Sequence, residues 1–453
     1  MTAWITAEAA AERLGIKRAT LYAYVSRGVL VRRRAPKGRG SLFDAAEIEK
    51  LARRGRPRRA PGGAELVIES ALTEISGDRL RYRGHEVTSL AGTRSFEDVA
   101  SLLWTGDFIA PAGWQAPPEA VAVGAAAQSA LAAPAGWQAP PEAAAVGAAG
   151  QSALAAPAGW QATPEAVAVG AAAQSALPAA ALPLERLQVI VPALAATDPL
   201  RLHLDQPAVV AAGRAMIAGM VDCLPDQRPR AAGGVDQPAP DIATRLWGKI
   251  CPDGAEGLLA ALRAALVLLA DHELAASTLA VRVAASVRAD PYAAVATGLG
   301  ALGGPLHGGA SLGAEAMLAA AAGPRDAPGV VGDLLRRTGR VPGFGHFVYR
   351  AGDPRAICLL DLVARGAPES PRLAVAEAVR AEMRRRALPE PNIDFALAVL
   401  ADVAGMISGA GEAVFAVARA AGWIAHALEE YAREVPLRPR AVYTGPPAGD
   451  TVG

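Results

Sequence analysis

The sequence predicts an all-α protein with a minor β hairpin, set behind a small basic head. Three observations carry this. Hydrophobic residues make up 52% of the chain but aromatics only 5%, an alanine-rich composition that favours helix over sheet. Apolar residues recur at spacings of three and four in "RLWGKI" (245–250), "GAEGLLAALRAALVLLADHE" (254–273) and "PRLAVAEAVRAEMRRRAL" (371–388), whereas strand-like alternation is confined to "ELVIES" (65–70) and "LRYRG" (80–84). Residues 1–60 hold 15 Lys/Arg against 5 Asp/Glu, a balance of +10, and the remainder holds 30 against 39, a balance of −9. Such asymmetry predicts a nucleic-acid contact confined to the N-terminus.

The head reads in order. Thr6 is placed to cap a helix ending at Leu14, Gly15 supplies a sharp turn, and a second helix follows through Ser26. Lys17, Arg18 and Arg27 lie on or beside that second helix. "VRRRAPKGRGSLFD" (31–44), with Arg32, Arg33 and Arg34, has the pattern of a basic hairpin, and "AAEIEKLARR" (45–54) that of a short closing helix. These sixty residues resemble the winged helix-turn-helix of MerR-type and excisionase-type DNA-binding domains. The resemblance implies a recognition helix in the major groove with arginines on phosphates. The alternative is a small interaction domain with a solvated basic face. "RRGRPRRAPGG" (53–63) has the Pro, Gly and charge content of a linker.

Residues 110–178 contain three near-identical 23-residue copies, marked by Trp114, Trp137 and Trp160. Tandem expansion of one helical segment explains them more simply than a solenoid, and a surface insertion without chemistry is expected. Three widely spaced cysteines (Cys223, Cys251, Cys358) without a C-x-x-C fit a reduced cytoplasm better than a disulfide framework or zinc site. The start of the chain lacks a charged-then-apolar leader, and charges interrupt every long apolar run, so neither secretion nor a membrane span is expected.

Four polar islands interrupt the helical background: "LADHELAAST" (269–278), "LGGPLHGGAS" (302–311), "VPGFGHFVYRAGDPRA" (341–356) and "PNIDFALAVL" (391–400). His307 and His346 sit among glycines, which allow a ligand or backbone to come close. Taken singly, His272 is equally well a capping or core histidine, Asp394 a helix N-cap, and Arg419 and Arg438 surface arginines. His85, His203 and His426 are read as structural.

Taken together, the islands identify a resemblance. From about residue 65 onward the chain resembles citrate synthase of the compact bacterial type that includes 2-methylcitrate synthase. The likeness begins at "LRYRGHEVTSLAGTRSFEDVASLLWTGD" (80–107), runs through the islands and ends with "ARAAGWIAHALEE" (418–430) and "RPRAVYTG" (438–445). It implies a helix-turn-helix domain over 1–60, a large helical domain over 61–310 carrying the 110–178 insertion, a small helical domain over 311–405, and a return to the large domain over 406–453. By the same resemblance, Asp394 is the base that deprotonates the acyl thioester, His307 the donor to the enolate oxygen, and His346 the group polarising the keto carbon of oxaloacetate. Arg355, Arg419 and Arg438, with His272, are implied to bind that substrate, and Arg350 the phosphates of coenzyme A. Arg438 is implied to reach in from a neighbouring subunit, hence a homodimer. The implied reaction joins acetyl-CoA or another short acyl-CoA to oxaloacetate, as in the tricarboxylic acid cycle, with no metal or redox cofactor. The chain departs from the family at Ala275 and Ser311, where asparagines are usual. A DNA-binding regulator that keeps the fold as a metabolite sensor is the alternative.

Overall fold

Helix signals in the sequence become caps in space. The computed structural model describes residues 4–14, 32–34, 41–45, 48, 68–77, 79–108, 160–228, 240–253, 255–349, 352–433 and 435–441. Contacts divide the chain into two units, Met1–Glu69 with Arg438–Gly453, and Ser70–Leu437.

In the first unit, strand β1 (Trp4–Thr6) leads into α1 (Ala7–Leu14), and Thr6 Oγ1 accepts from Ala9 N, the cap expected there. Strands β2 (Arg32–Arg34) and β3 (Ser41–Asp44) form the antiparallel hairpin expected from the basic stretch, and β3 also pairs with β1. Phe43, Ile48 and Ala10 are buried. The second helix, with Lys17, Arg18 and Arg27, and most of the closing helix lie outside the described residues.

The second unit begins with a meander of β4 (Thr73–Ser76), β5 (Arg79–Tyr82) and β6 (His85–Glu86). The first strand therefore starts at Thr73; the described part of "ELVIES", residues 68–70, is irregular. Helices α2 (Val87–Thr93) and α3 (Phe96–Thr105) follow, the latter opened by a reciprocal Ser95–Asp98 capping box and closed by Gly106 at φ +90°.

The expectation that the whole repeat block is a surface insertion is wrong for its third copy. Trp160 is buried, stacks on Trp104 at 5.2 Å between ring centroids and meets Phe96 edge-on at 5.9 Å. Helix α4 (Pro164–Ser175) then packs on α5 (Pro183–Ala195). A buried indole outweighs the low information of an alanine-rich repeat. Thr163 caps α4, accepting from Ala166 N at 3.1 Å; the equivalent positions in the other copies are Pro117 and Pro140.

The rest is helical: α6 (Gln206–Asp222), α7 (Ile242–Ile250), α8 (Leu259–Leu269), α9 (Ala276–Ser286), α10 (Pro291–Leu302), α11 (Gly309–Ala319), α12 (Ala327–Thr338), α13 (Pro354–Gly366), α14 (Pro371–Arg385), α15 (Ile393–Val403) and α16 (Ala410–Tyr431). Helix α16 is the axis of this unit. It is buried along almost its whole length and packs against α3, α6, α8, α9 and α10. A helix apolar on every side belongs inside a core. Among the described residues no helix is long and apolar enough to cross a membrane.

Candidate active site

The four islands all fall at helix junctions. The α8–α9 turn carries His272, the α10–α11 turn His307, the loop before α13 His346, and the first turn of α15 Asp394. Together with Arg355 from α13 and Phe415 and Arg419 from α16, they line one cleft of about 700 Å³.

Local geometry sets each side chain. At His307, the Gly308 N–H closes onto the Leu302 carbonyl at 2.9 Å, and a Cβ on Gly308 would stand 2.6 Å from that oxygen, so only glycine fits. The His307 Nε2 lies 2.8 Å from Ser277 Oγ, and burial, assisted by the Arg419 charge, lowers its pKa to about 4. His307 is therefore neutral near pH 7. A Ser277 hydroxyl that donates to Nε2 puts the ring proton on Nδ1.

His346 is oriented by its own loop. Its Nδ1 accepts from Val348 N at 3.1 Å and, more weakly, from Tyr349 N at 3.4 Å. Burial and the nearby Arg355 charge lower its pKa. The imidazole is thus neutral with its proton on Nε2. Gly343, at φ +79°, allows this loop to lie against α15, where a Cβ would meet the Phe395 Cβ at 2.8 Å.

His272 is buried, with Nε2 2.9 Å from the Tyr349 hydroxyl and its ring edge-on to His346 at 5.4 Å. Burial first, then the Arg355 and Arg419 charges, hold its pKa well below the ordinary histidine value.

Asp394 is not the N-cap of α15. Asn392 is, its Oδ1 accepting from Asp394 N at 3.0 Å. That leaves the Asp394 carboxyl to the cleft, where burial pushes its pKa up to about 7; Asp353 adds to the rise, while Arg355 and Arg419 oppose it.

The two buried guanidiniums are anchored differently. Arg355 forms a bidentate pair with Asp353, Nε to Oδ1 at 3.0 Å and Nη2 to Oδ2 at 2.8 Å. Asp353 Oδ2 also accepts from Ile393 N at 3.1 Å, tying the arginine to the turn that bears Asp394. Burial opposes the Asp353 charge, but Arg355 outweighs it and holds the carboxyl below the usual range. Arg419 donates from Nε to the Leu269 carbonyl at 2.8 Å and lies over the Phe415 ring at 4.6 Å.

Six of the expected residues thus converge: His272, His307, His346, Arg355, Asp394 and Arg419. Arg438 is exposed and belongs to the other unit. Arg350 lies outside the described residues. In the first unit, the Arg33 guanidinium stands over the Trp4 ring at 5.3 Å, and Arg32 and Arg34 are described only as strand backbone. Sequence reasoning missed Ser277, Tyr349, Asp353 and Phe415. The first three stand inside the quoted islands, and Asp353 is two residues from Arg355, the spacing that lets a helix N-cap also grip a guanidinium. Ala275 lines the cleft without a polar group, and Ser311 turns inward, donating to the Gly308 carbonyl at 3.0 Å. Among the described residues no group of three His, Cys, Asp or Glu side chains gathers to hold a metal ion.

With this geometry in view, comparison with known proteins gives the class. Residues 64–440 match the citrate synthase C-terminal domain, and residues 4–56 match a helix-turn-helix domain. The chain belongs to the citrate synthase family. "Citrate synthase 2" of Bacillus subtilis is 38% identical over 193 residues, 41% of this chain and 51% of that protein. "2-methylcitrate synthase 2" of Corynebacterium glutamicum is 35% identical over 184 residues, 40% of this chain and 48% of that protein. The chain spans about half the length of the curated relatives it matches. Among solved structures, citrate synthase from Thermotoga maritima superposes with a TM-score of 0.62 at 23% identity, covering 86% of this chain and 97% of that one. The ternary complex of carboxymethyl coenzyme A and oxaloacetate with citrate synthase from Thermoplasma acidophilum gives a TM-score of 0.62 at 24% identity, covering 85% and 95%. At these identities the structures establish the fold.

Proposed function

We propose that the protein condenses acetyl-CoA, or another short acyl-CoA, with oxaloacetate to give citrate, or 2-methylcitrate, and free coenzyme A. The observation that carries the reading is the cleft in which one carboxyl of raised pKa faces two neutral imidazoles and two buried guanidiniums. Such a carboxylate is a stronger base than one in water, as an α-proton of a thioester requires. Asp394 takes that proton. His307 donates from Nδ1 to the thioester oxygen as the enolate charge develops, and His346 donates from Nε2 to the keto oxygen. Arg355, preset by Asp353, and Arg419 hold the carboxylates of oxaloacetate with His272, because planar forks match carboxylates better than an ammonium does. Water then hydrolyses the condensed thioester. Arg350 on the coenzyme A phosphates is part of the same proposal, as is cytoplasmic action without a resident cofactor.

We further propose a homodimer to which Arg438 contributes across the interface. Leu279 and Val283 stand at i and i+4 on α9, with Val287 just past its end, and are 37%, 44% and 65% exposed, an apolar stripe suited to a second copy. The assay is thiol release from acetyl-CoA or propionyl-CoA with oxaloacetate; absence of turnover with either sinks the reading.

The helix-turn-helix match favours one additional reading, that the head binds DNA through Lys17, Arg18, Arg27, Arg32, Arg33 and Arg34 and that the synthase body informs it as a metabolite sensor. Full-length protein on duplex DNA should then lose affinity steeply with salt. Undetectable binding at low salt removes the claim.

A further inference from the structure

Behind His272, outside the cleft, lies a buried polar chain. Asp271, fully buried, accepts at Oδ2 from Thr73 Oγ1 at 2.5 Å and from Glu273 N at 3.2 Å. His426 Nε2 stands 3.3 Å from Asp271 Oδ1 and 3.4 Å from Oδ2. The other ring nitrogen of His426, Nδ1, is 2.7 Å from Arg282 Nη1. A guanidinium only donates, so Nδ1 accepts and the proton of a neutral His426 is on Nε2, directed at Asp271. Arg282 is in turn held by Glu430, from Nε at 2.7 Å, and by Glu429, from Nη1 at 2.6 Å. Glu429 reaches back to Ala71 N at 2.8 Å, so the chain joins the start of the β meander, α9 and α16.

We infer that His426, acting through Asp271, is a positioning residue for His272 and thereby for the 2-oxo acid. Three observations make the link mechanical. Asp271 is bonded to His272 along the chain, and the next residue, Glu273, takes φ +55°, a conformation that non-glycine residues hold only when their surroundings impose it. The Asp271 carboxylate braces that conformation, accepting from the Glu273 N–H. The Asp271 backbone is clamped as well: its carbonyl accepts from Tyr82 Oη at 2.9 Å, and its N–H donates to the same oxygen at 3.1 Å. A Cβ on Gly422 would fall 2.4 Å from Asp271 Oδ1 and from the Ala270 carbonyl, so α16 is in direct contact with this turn. The imidazole that faces the cleft is thus aimed by a carboxylate that a second, buried imidazole orients.

The inference rests on His272 serving the keto acid, and the test separates the two. In full-length protein, His426→Leu removes both nitrogens, whereas His426→Gln keeps a donor toward Asp271 and an acceptor for Arg282. Thiol release is measured against each substrate, with calorimetric titration of oxaloacetate. The leucine variant should raise the KM and Kd for oxaloacetate about tenfold and leave the acyl-CoA KM within about twofold, and glutamine should restore most of the loss. Unchanged oxaloacetate constants, equal shifts for both substrates, or a glutamine variant no better than leucine overturns the inference. Should the leucine variant not fold, Asp271→Asn, near in volume, carries the same comparison. A wild type that binds oxaloacetate without turnover sinks the synthase reading and leaves the calorimetric comparison standing; one that does neither overturns both.

Discussion

Trp160 offers a test that exploits the repeats. Replacing this buried, stacked indole by alanine removes packing worth about 3–5 kcal/mol. In the full chain, however, two spare copies each carry a tryptophan, Trp114 and Trp137. The first copy differs from the third only in Pro117 for Thr163 and Ala132 for Pro178. Thr163 stands at φ −65° and ψ 149°, a conformation proline adopts freely, so exchanging copies forfeits little beyond the Thr163 cap, about 1 kcal/mol. Exchange only moves the long loop from before the helix to after it, which leaves loop entropy nearly unchanged. Deleting 110–155 abolishes the reserve and shortens the connection between Phe108 and Trp160 from 51 residues to 5. Six peptide units span about 20 Å, enough to reach a tryptophan that stacks on Trp104. The deletion alone should fold and gain about 2 kcal/mol from the shorter loop. Urea unfolding followed by circular dichroism should therefore show Trp160→Ala costing about 1 kcal/mol in the full chain and about 3–5 kcal/mol in the shortened one. Equal losses in both backgrounds, or a shortened chain that does not fold, refute the reasoning.

Other outcomes follow from the cleft and from α9. Because the base must be ionised and burial sets Asp394 at about 7, kcat/KM should fall about tenfold per unit as pH drops below that value, whereas His307, at about 4, stays neutral there. A profile flat down into the ordinary carboxylate range contradicts the assignment of the base. Val283→Asp places a charge in the exposed α9 stripe and should convert the proposed dimer to monomer in sedimentation while leaving the helical signal intact; an unchanged mass removes α9 from the proposed interface.

What the sequence disclosed, and what it withheld, has a physical pattern. Helices were legible from spacing and caps, as at Thr6 and Ser95, because these signals are local. The site residues stood out because histidines among glycines are rare in an alanine-rich chain. Their partners did not: Ser277 on His307, Tyr349 on His272 and Asp353 on Arg355 depend on how islands approach in space. His426 was read as structural for the same reason, since its contacts lie 144 and 155 residues away in the chain. The third repeat was misjudged because near-identical copies hide which one the core selects, and residues 68–70 of "ELVIES" because apolar alternation does not reveal where a strand finds its partner.

The central claim is that Asp394 is the base of a condensation carried out between His307 and His346. Comparing Asp394→Asn with wild type in thiol release from acetyl-CoA and oxaloacetate tests it most directly. The expected result is a loss in kcat of at least about 100-fold with oxaloacetate affinity within about threefold of wild type. An asparagine variant that turns over at the wild-type rate contradicts it.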